Sequence, residues 1–289
     1  MKKKLIIILD QKKAKLDKNG IWVTNLKLSP EVETSKKAWE RIYNFNLNKL
    51  KEDRKDFDEN KLFDHLDYIK KSFKFSKNTI YLEIGCGPAH IGEYVLNNYK
   101  AYFVGIDFNY PMLLTLKRYF DEKGYKKYIL IHADINNMPI KDNSIDYIYG
   151  GGVIEHFPDT EYILKESYRI LKERGVSFNT VPAFNLWWIF RLHSTIPSPK
   201  ILKKIFEYLH KNILKNKLLE RNSGYELGFT RKELFLLHKN IGFKSISTGP
   251  FAFHPSRNRL KNNILRNLYY FIQKNKLTTA IYFVYGNKE

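Results

Sequence analysis

The stretch Thr79 to Gly92, TIYLEIGCGPAHIG, joins a short apolar run to a glycine turn and the turn to a helical pattern. Ile80, Leu82 and Ile84 make the β-rich run, and Gly85-Cys86-Gly87 stops it with a turn that tolerates positive φ and close approach of a ligand. Ile91, Tyr94 and Val95 then fall at helical spacing, so the local order is strand, turn, helix. A glycine pair alone is weak evidence for a ligand. Two acids strengthen it: Glu83 just before the turn, and Asp107 at the end of the next apolar run, AYFVGID, where a carboxylate can accept from both hydroxyls of a ribose. The plainer alternative is a structural glycine turn in a buried βα unit, with Asp107 capping the following helix.

The alternation continues beyond this unit. Apolar runs recur at TIYLEIG, AYFVGID, YILIHAD, SIDYIYG and GVSFNTV, separated by helix-length segments. This is the mark of an α/β fold with a doubly wound, mostly parallel sheet. Ligands of such sheets sit beyond the carboxyl ends of the strands, which here carry Gly85, Asp107, Asp134 and Gly150. Ahead of them, Leu5 to Val23 reads as a small hairpin around Lys18-Asn19-Gly20. From Ser35 the pattern turns helical, with Ala38, Ile42 and Phe45 on one face and Leu62, Leu66 and Ile69 on another. At 289 residues and 43% hydrophobic, the chain can bury one substantial core with room for an appended subdomain.

The spacing Glu83-x-Gly85-x-Gly87 resembles motif I of the class I (Rossmann-like) S-adenosylmethionine-dependent methyltransferases, in their small-molecule branch. A dinucleotide fingerprint would need its third glycine at position 90, where His90 stands. The methyltransferases usually have a further glycine two residues after Gly87, where this chain has Ala89. Later segments agree in order: GIDFNYPML, HADINNMPI, SIDYIYGGGVIEHFPD, ILKERGVSFNTVP, GYELGFTRKELFLLHKNIGFKSIS and AIYFVYGNK. The resemblance implies a seven-stranded sheet flanked by helices, an N-terminal helical extension over residues 1–78, and a core over 79–289 with a helical lid inserted at 184–223. It also implies S-adenosylmethionine as donor and S-adenosylhomocysteine as product, held by Glu83, Gly85, Cys86, Gly87, Asp107, Phe108, Asp134, Ile135, Gly150 and Gly151. Asp107 would take the ribose, Asp134 and Ile135 the adenine, and Gly150 and Gly151 would leave room for the methionine part. Trp39 and Tyr43 of the extension could line the cleft, although aromatic residues at helical spacing are more often plain packing.

Catalytic candidates are His156, His193 and Glu226, with His254 as a further base and Tyr225 able to position a substrate. Cys86 is the only cysteine, so no intrachain disulfide and no multi-cysteine metal site can form; no metal is expected. The opening MKKKLIIILD is too short in its apolar part for a signal peptide and nothing later approaches a membrane span, so a cytoplasmic protein is expected. Of the net charge of +20, +14 lies from residue 183 onward, with nineteen Lys and Arg against five Asp and Glu. That excess suits an anionic membrane surface, an anionic substrate or RNA, or reflects composition bias. Within the insertion, Trp187, Trp188, Ile189 and Phe190 form an apolar knot, and Ile201, Ile205, Leu209 and Ile213 repeat at helical spacing among lysines. Such a helix suits an interfacial lid, with a core-packed helix as the plainer reading. The function expected is methyl transfer to a small-molecule acceptor such as a lipid, quinone or saccharide; alternatives are an RNA methyltransferase and, less favoured, a nicotinamide oxidoreductase.

Overall fold

A computed structural model of the chain describes residues 2–56, 59–186, 188, 195–215, 223–254 and 261–289. The extension holds a short helix α1 (Lys2–Ile7), a hairpin of β1 (Lys15–Leu16) and β2 (Trp22–Val23), and helices α2 (Pro30–Ile42), α3 (Leu47–Asp56) and α4 (Glu59–Ser72). The alternating part follows: β3 (Ile80–Ile84), α5 (His90–Tyr99), β4 (Tyr102–Asp107), α6 (Tyr110–Glu122), β5 (Tyr128–His132), β6 (Ile145–Gly151), α7 (Thr160–Ile170) and β7 (Leu171–Pro182). Beyond it come β8 (Ile196–Pro197), α8 (Lys200–Tyr208), β9 (Leu227–Gly228), α9 (Arg231–Ile241), β10 (Lys244–Pro250), α10 (Asn263–Gln273) and β11 (Ile281–Asn287).

All but β8 and β9 join one sheet in the order β1-β2-β5-β4-β3-β6-β7-β11-β10. Strands β2 and β5 to β7 run parallel through β4 and β3, while β11 is antiparallel to both β7 and β10. The two-residue period of the pleat divides the core: Leu82, Val104, Ile131 and Ile148 build an aliphatic layer, whereas Tyr81, Phe103, Leu130, Tyr149 and Phe178 build an aromatic one. All five residues of β3 are buried, which places the glycine turn at the end of the central strand.

The expected fold class holds, with a sheet two strands wider than seven. The hairpin supplies the extra pair: Trp22 and Val23 lie beside Ile131 and His132, covering an edge that β5 would otherwise expose. Leu5, Leu9, Ala14 and Trp22 sink into the same aliphatic layer as the central strands. Of the insertion, Trp187, Ile189, Phe190, His193 and residues 216–222 lie outside the described residues. Its described part forms α8, which ends in a π turn at Leu209–Ile213. Among the described residues no helix is long and apolar enough to cross a membrane.

Candidate cofactor and active site

The glycine turn is built by backbone conformation and pinned by backbone hydrogen bonds. Gly85 and Gly87 have φ of +58° and +45°, and a Cβ on Gly85 would stand 2.7 Å from Val153. Ala89, in the place of the expected third glycine, takes the same left-handed conformation at φ +53°. A non-glycine residue there costs about 1–2 kcal/mol. The Cys86 N–H donates to the Ile106 carbonyl at 3.0 Å, the Gly92 N–H to Glu83 Oε2 at 3.0 Å, and the Gly87 N–H to Asp107 Oδ2 at 2.8 Å. The last bond ties the turn to the tip of β4.

Asp107 is buried at that tip. Its other oxygen accepts from the Asn109 N–H at 2.7 Å. The Phe108 N–H also bears on this carboxylate, so both oxygens are engaged and no more than two of the four lone-pair sites remain for a ligand. Burial pushes the Asp107 carboxyl up to about 6 against the pull of those N–H groups. Glu83, deeper still, is raised by burial to about 8, with the Gly92 N–H and the Arg54 charge opposing. At neutral pH Asp107 is thus mostly ionised and Glu83 mostly protonated. The Cys86 thiol, raised by burial and by both acids, packs where a Cβ on Gly105 would stand 2.9 Å from its sulfur. It fills space.

Beyond these residues lies a cleft that is partly open to solvent. Gly85, Asp107, Phe108 and Asn109 line one side; Gly151, Gly152, Val153, His156 and Phe157 line the other. Helix α2 and the residue that caps its C-terminus close it with two aromatic rings, Trp39 and Tyr43. Pro30 at its first position and the Ser29 side chain accepting from the Val32 N–H start this helix. Trp39 stacks on Tyr43 at 5.3 Å between centroids and meets the His156 ring edge-on at 5.6 Å. Burial and the acids Asp107, Asp53 and Glu83 raise the Tyr43 phenol, which keeps its proton.

His156 is held by a residue far away in sequence. Its Nδ1 lies 2.7 Å from the Tyr225 carbonyl, so Nδ1 carries the proton and Nε2 is left as the acceptor. Burial lowers its pKa, with the Glu226 charge opposing. The ring is neutral at pH 7.

The structure brings Gly85, Asp107, Phe108, Gly151 and His156 to one cleft, with Trp39 and Tyr43 over them. Glu83, Cys86 and Gly87 support the turn from behind. Gly150 lies inside the sheet, where a Cβ would stand 2.4 Å from Asn179 Oδ1. Asp134 accepts from the Asn136 N–H at 2.9 Å and faces a neighbouring cavity that shares only Phe157 with the cleft. Ile135 is buried beside it. Glu226 is buried near His156 and does not line the cleft, and His254 pairs with Asp64 at 3.0 Å on α4. His193 lies outside the described residues. Asn109, Gly152, Val153 and Phe157 are lining residues that sequence reasoning missed; the third glycine of GGGVIEHF and the cap position before Pro111 were the available signals. His90, whose Nε2 reaches Asp53 at 2.9 Å, fills the space a dinucleotide fold keeps for glycine. Among the described residues, no group of three or more His, Cys, Asp or Glu side chains could hold a metal ion.

Residues 82–178 match the family described as a methyltransferase domain. A demethylmenaquinone methyltransferase of Anoxybacillus flavithermus is 31% identical over 109 residues, covering 36% of this chain and 45% of the relative. The phosphoethanolamine N-methyltransferase 2 of Caenorhabditis elegans is 32% identical over 114 residues, covering 39% of this chain and 26% of the relative. The chain thus spans less than half the length of these curated relatives. Among solved structures, Haemonchus contortus phosphoethanolamine N-methyltransferase 2 in complex with S-adenosyl-L-methionine superposes with a TM-score of 0.59 at 15% identity, covering 92% of this chain and 61% of that one. That likeness is one of fold.

Proposed function

We propose that this chain, whose residues 82–178 match a methyltransferase domain, is a class I S-adenosylmethionine-dependent enzyme that transfers a methyl group to a small-molecule acceptor. The observation that carries this reading is Asp107: an ionised carboxylate held by backbone N–H groups, with acceptor capacity left over, lining the cleft at the strand end beside the glycine turn. The cleft suits the donor's parts. Asp107 would accept from both ribose hydroxyls, the side-chain-free Gly85 and Gly151 leave room for the methionine part, and the Trp39 and Tyr43 rings would face its positive charge. When bound, S-adenosylmethionine supplies an electrophilic methyl on a cationic sulfur, displaced in line by the acceptor's nucleophile.

The residues around that point have separate tasks. Helix α2 excludes water and holds the acceptor near attack distance. Neutral His156 presents Nε2 to the same cleft and takes the proton of a hydroxyl, amine or acidic carbon, while the Tyr225 carbonyl keeps its tautomer fixed. Demethylmenaquinone and phosphoethanolamine, named for two relatives, are the first acceptors to try.

Calorimetric titration with S-adenosylmethionine, S-adenosylhomocysteine and NADH tests the reading, with Asp107→Ala alongside. Both adenosyl ligands should bind, and the variant should lose about 100-fold or more, since hydrogen bonds to a charged group contribute about 1.5–3 kcal/mol each. The ligand's hydroxyls need the ionised carboxylate, whose pKa is about 6. Affinity should therefore be full above that pH and fall as pH drops through it. Binding of NADH alone would overturn the proposal.

A further inference from the structure

Two helices outside the cleft are packed with their polar side inward. On α8, Lys203 Nζ donates to the Pro158 carbonyl at 2.7 Å, Glu207 accepts from the Tyr225 hydroxyl at 2.7 Å, and His210 of the π turn is buried. These contacts fix the roll of the helix. Its other side shows Ile201, Ile205, Tyr208 and Ile213 to solvent, Ile201 at 78% exposure. On α10 the inversion is stronger. Arg266 and Gln273 are buried, and Gln273 Nε2 donates to the Thr278 carbonyl at 3.3 Å. Ile264, Leu268 and Phe271 point outward, Phe271 at 72% exposure.

The exposure is concentrated. Among the described residues, 12 of the 19 large apolar side chains left exposed belong to residues 201–214 and 264–277. Scattered single residues would need no explanation, whereas a grouped apolar face does. The two helices also flank one short segment. Trp188 meets Phe206 of α8 at 5.5 Å between centroids, and Asn185 Nδ2 donates to the Lys276 and Thr279 carbonyls, at 3.2 and 2.9 Å, just past α10. The four-residue span keeps the Asn185 and Trp188 backbones within roughly 15 Å of each other, so both helices are tied to one short segment. Leu186, itself exposed, lies between them.

Charge selects the occupant. Leaving out the inward Lys203, Glu207 and Arg266, residues 200–215 hold four Lys and residues 261–277 hold three, with no acid in either. A second copy would bring these like charges together, and a nucleic acid would leave the apolar side chains without a partner. An anionic lipid surface satisfies both: the apolar face enters the boundary between headgroups and acyl chains, and each lysine near the surface adds about 1 kcal/mol of attraction. We propose that α8 and α10 together form a docking face for an anionic membrane surface, independent of the methyl-transfer reading.

Sedimentation with vesicles of phosphatidylcholine, alone or mixed with phosphatidylglycerol, tests this directly. The protein should pellet with the mixed vesicles, bind phosphatidylcholine about 10-fold or more weakly, and detach as salt rises. Two pairs, Ile201→Glu with Ile205→Glu and Ile264→Glu with Phe271→Glu, should each weaken binding about 10-fold or more. Lys204→Gln with Lys261→Gln should lose about 10-fold as well. All six side chains are exposed, so circular dichroism and thermal melting should be unchanged and a folding defect is recognisable. A protein that stays in the supernatant with both vesicle types overturns the proposal. So does equal pelleting of every variant, or a dimer by light scattering that the glutamate pairs dissolve.

Discussion

The strand-end edge of the sheet and the outward faces of α8 and α10 break the ordinary rule of burial in opposite directions. At the edge, Asp107 and Glu83 are buried in a core otherwise filled by Ile, Leu, Val and aromatic rings. On the two helices, large apolar side chains stand in solvent while Arg266, Gln273 and Glu207 turn inward. Both departures cost folding free energy. The folded chain holds the Asp107 proton to about 6 and the Glu83 proton to about 8, above their ordinary values of 3.8 and 4.5. Folded protein therefore binds more protons than unfolded across that window, and these acids lower stability as pH rises through it. Such exceptions mark where a chain is shaped for a ligand rather than for itself. The first is a charge waiting inside a cleft; the second is an apolar face waiting outside one.

The comparison breaks most sharply at His156. His156→Asn keeps an N–H close to the position of Nδ1 for the Tyr225 carbonyl but removes the Nε2 acceptor. Turnover of whichever acceptor a labelled-methyl screen identifies should fall about 10²–10⁴-fold. Cofactor affinity by titration and vesicle binding should stay at wild-type values. A variant that loses cofactor affinity together with turnover would make His156 a wall of the cleft rather than its base.

Next comes the aromatic layer that carries the edge. Phe103 is fully buried, stacked on Tyr81 and edge-on to Phe120 at 6.0 Å between centroids in each case, and a Cβ on Gly92 would stand 2.5 Å from it. It therefore seats α5, and with it the glycine turn, on β4. Phe103→Ala should destabilise by about 3–5 kcal/mol in urea unfolding. A loss below about 1 kcal/mol would mean that α5 collapses into the space, and that the turn is held by its hydrogen bonds instead.

Much of the edge was legible because local chemistry dictated it. The apolar runs ending in Gly85 and Asp107 required nothing beyond the two-residue period and the glycine turn. Asp134 shows the limit: the same strand-end position holds an acid whose side chain caps the next turn and faces another cavity, and no local pattern separates those outcomes. His156 shows a second limit, since its tautomer is set by the carbonyl of Tyr225, 69 residues away. The hairpin was visible as a hairpin, but its parallel pairing beside β5 depends on an edge that exists only in the folded sheet. For the two helices, spacing revealed the amphipathic stripe of α8 and nothing of its direction. An apolar face at Ile201, Ile205 and Ile213 reads the same whether it meets a core or a solvent; the inward bonds of Lys203 and Glu207 decide it, and they are tertiary.

The smallest expected effect lies on α10. Phe271 is as large as Phe103, yet its ring is 72% exposed, so little apolar area leaves water when the chain folds. Phe271→Ser should change unfolding stability by no more than about 0.5 kcal/mol. Serine and phenylalanine have nearly equal helix propensity, so the backbone adds no further change. The same variant should leave S-adenosylmethionine affinity untouched. If instead it loses 2 kcal/mol or more, a value expected of a core side chain, the α10 face is covered by protein in solution, and the contrast with Phe103 disappears. Set beside Phe103→Ala, it separates an aromatic ring that holds the fold together from one that the fold leaves for something else.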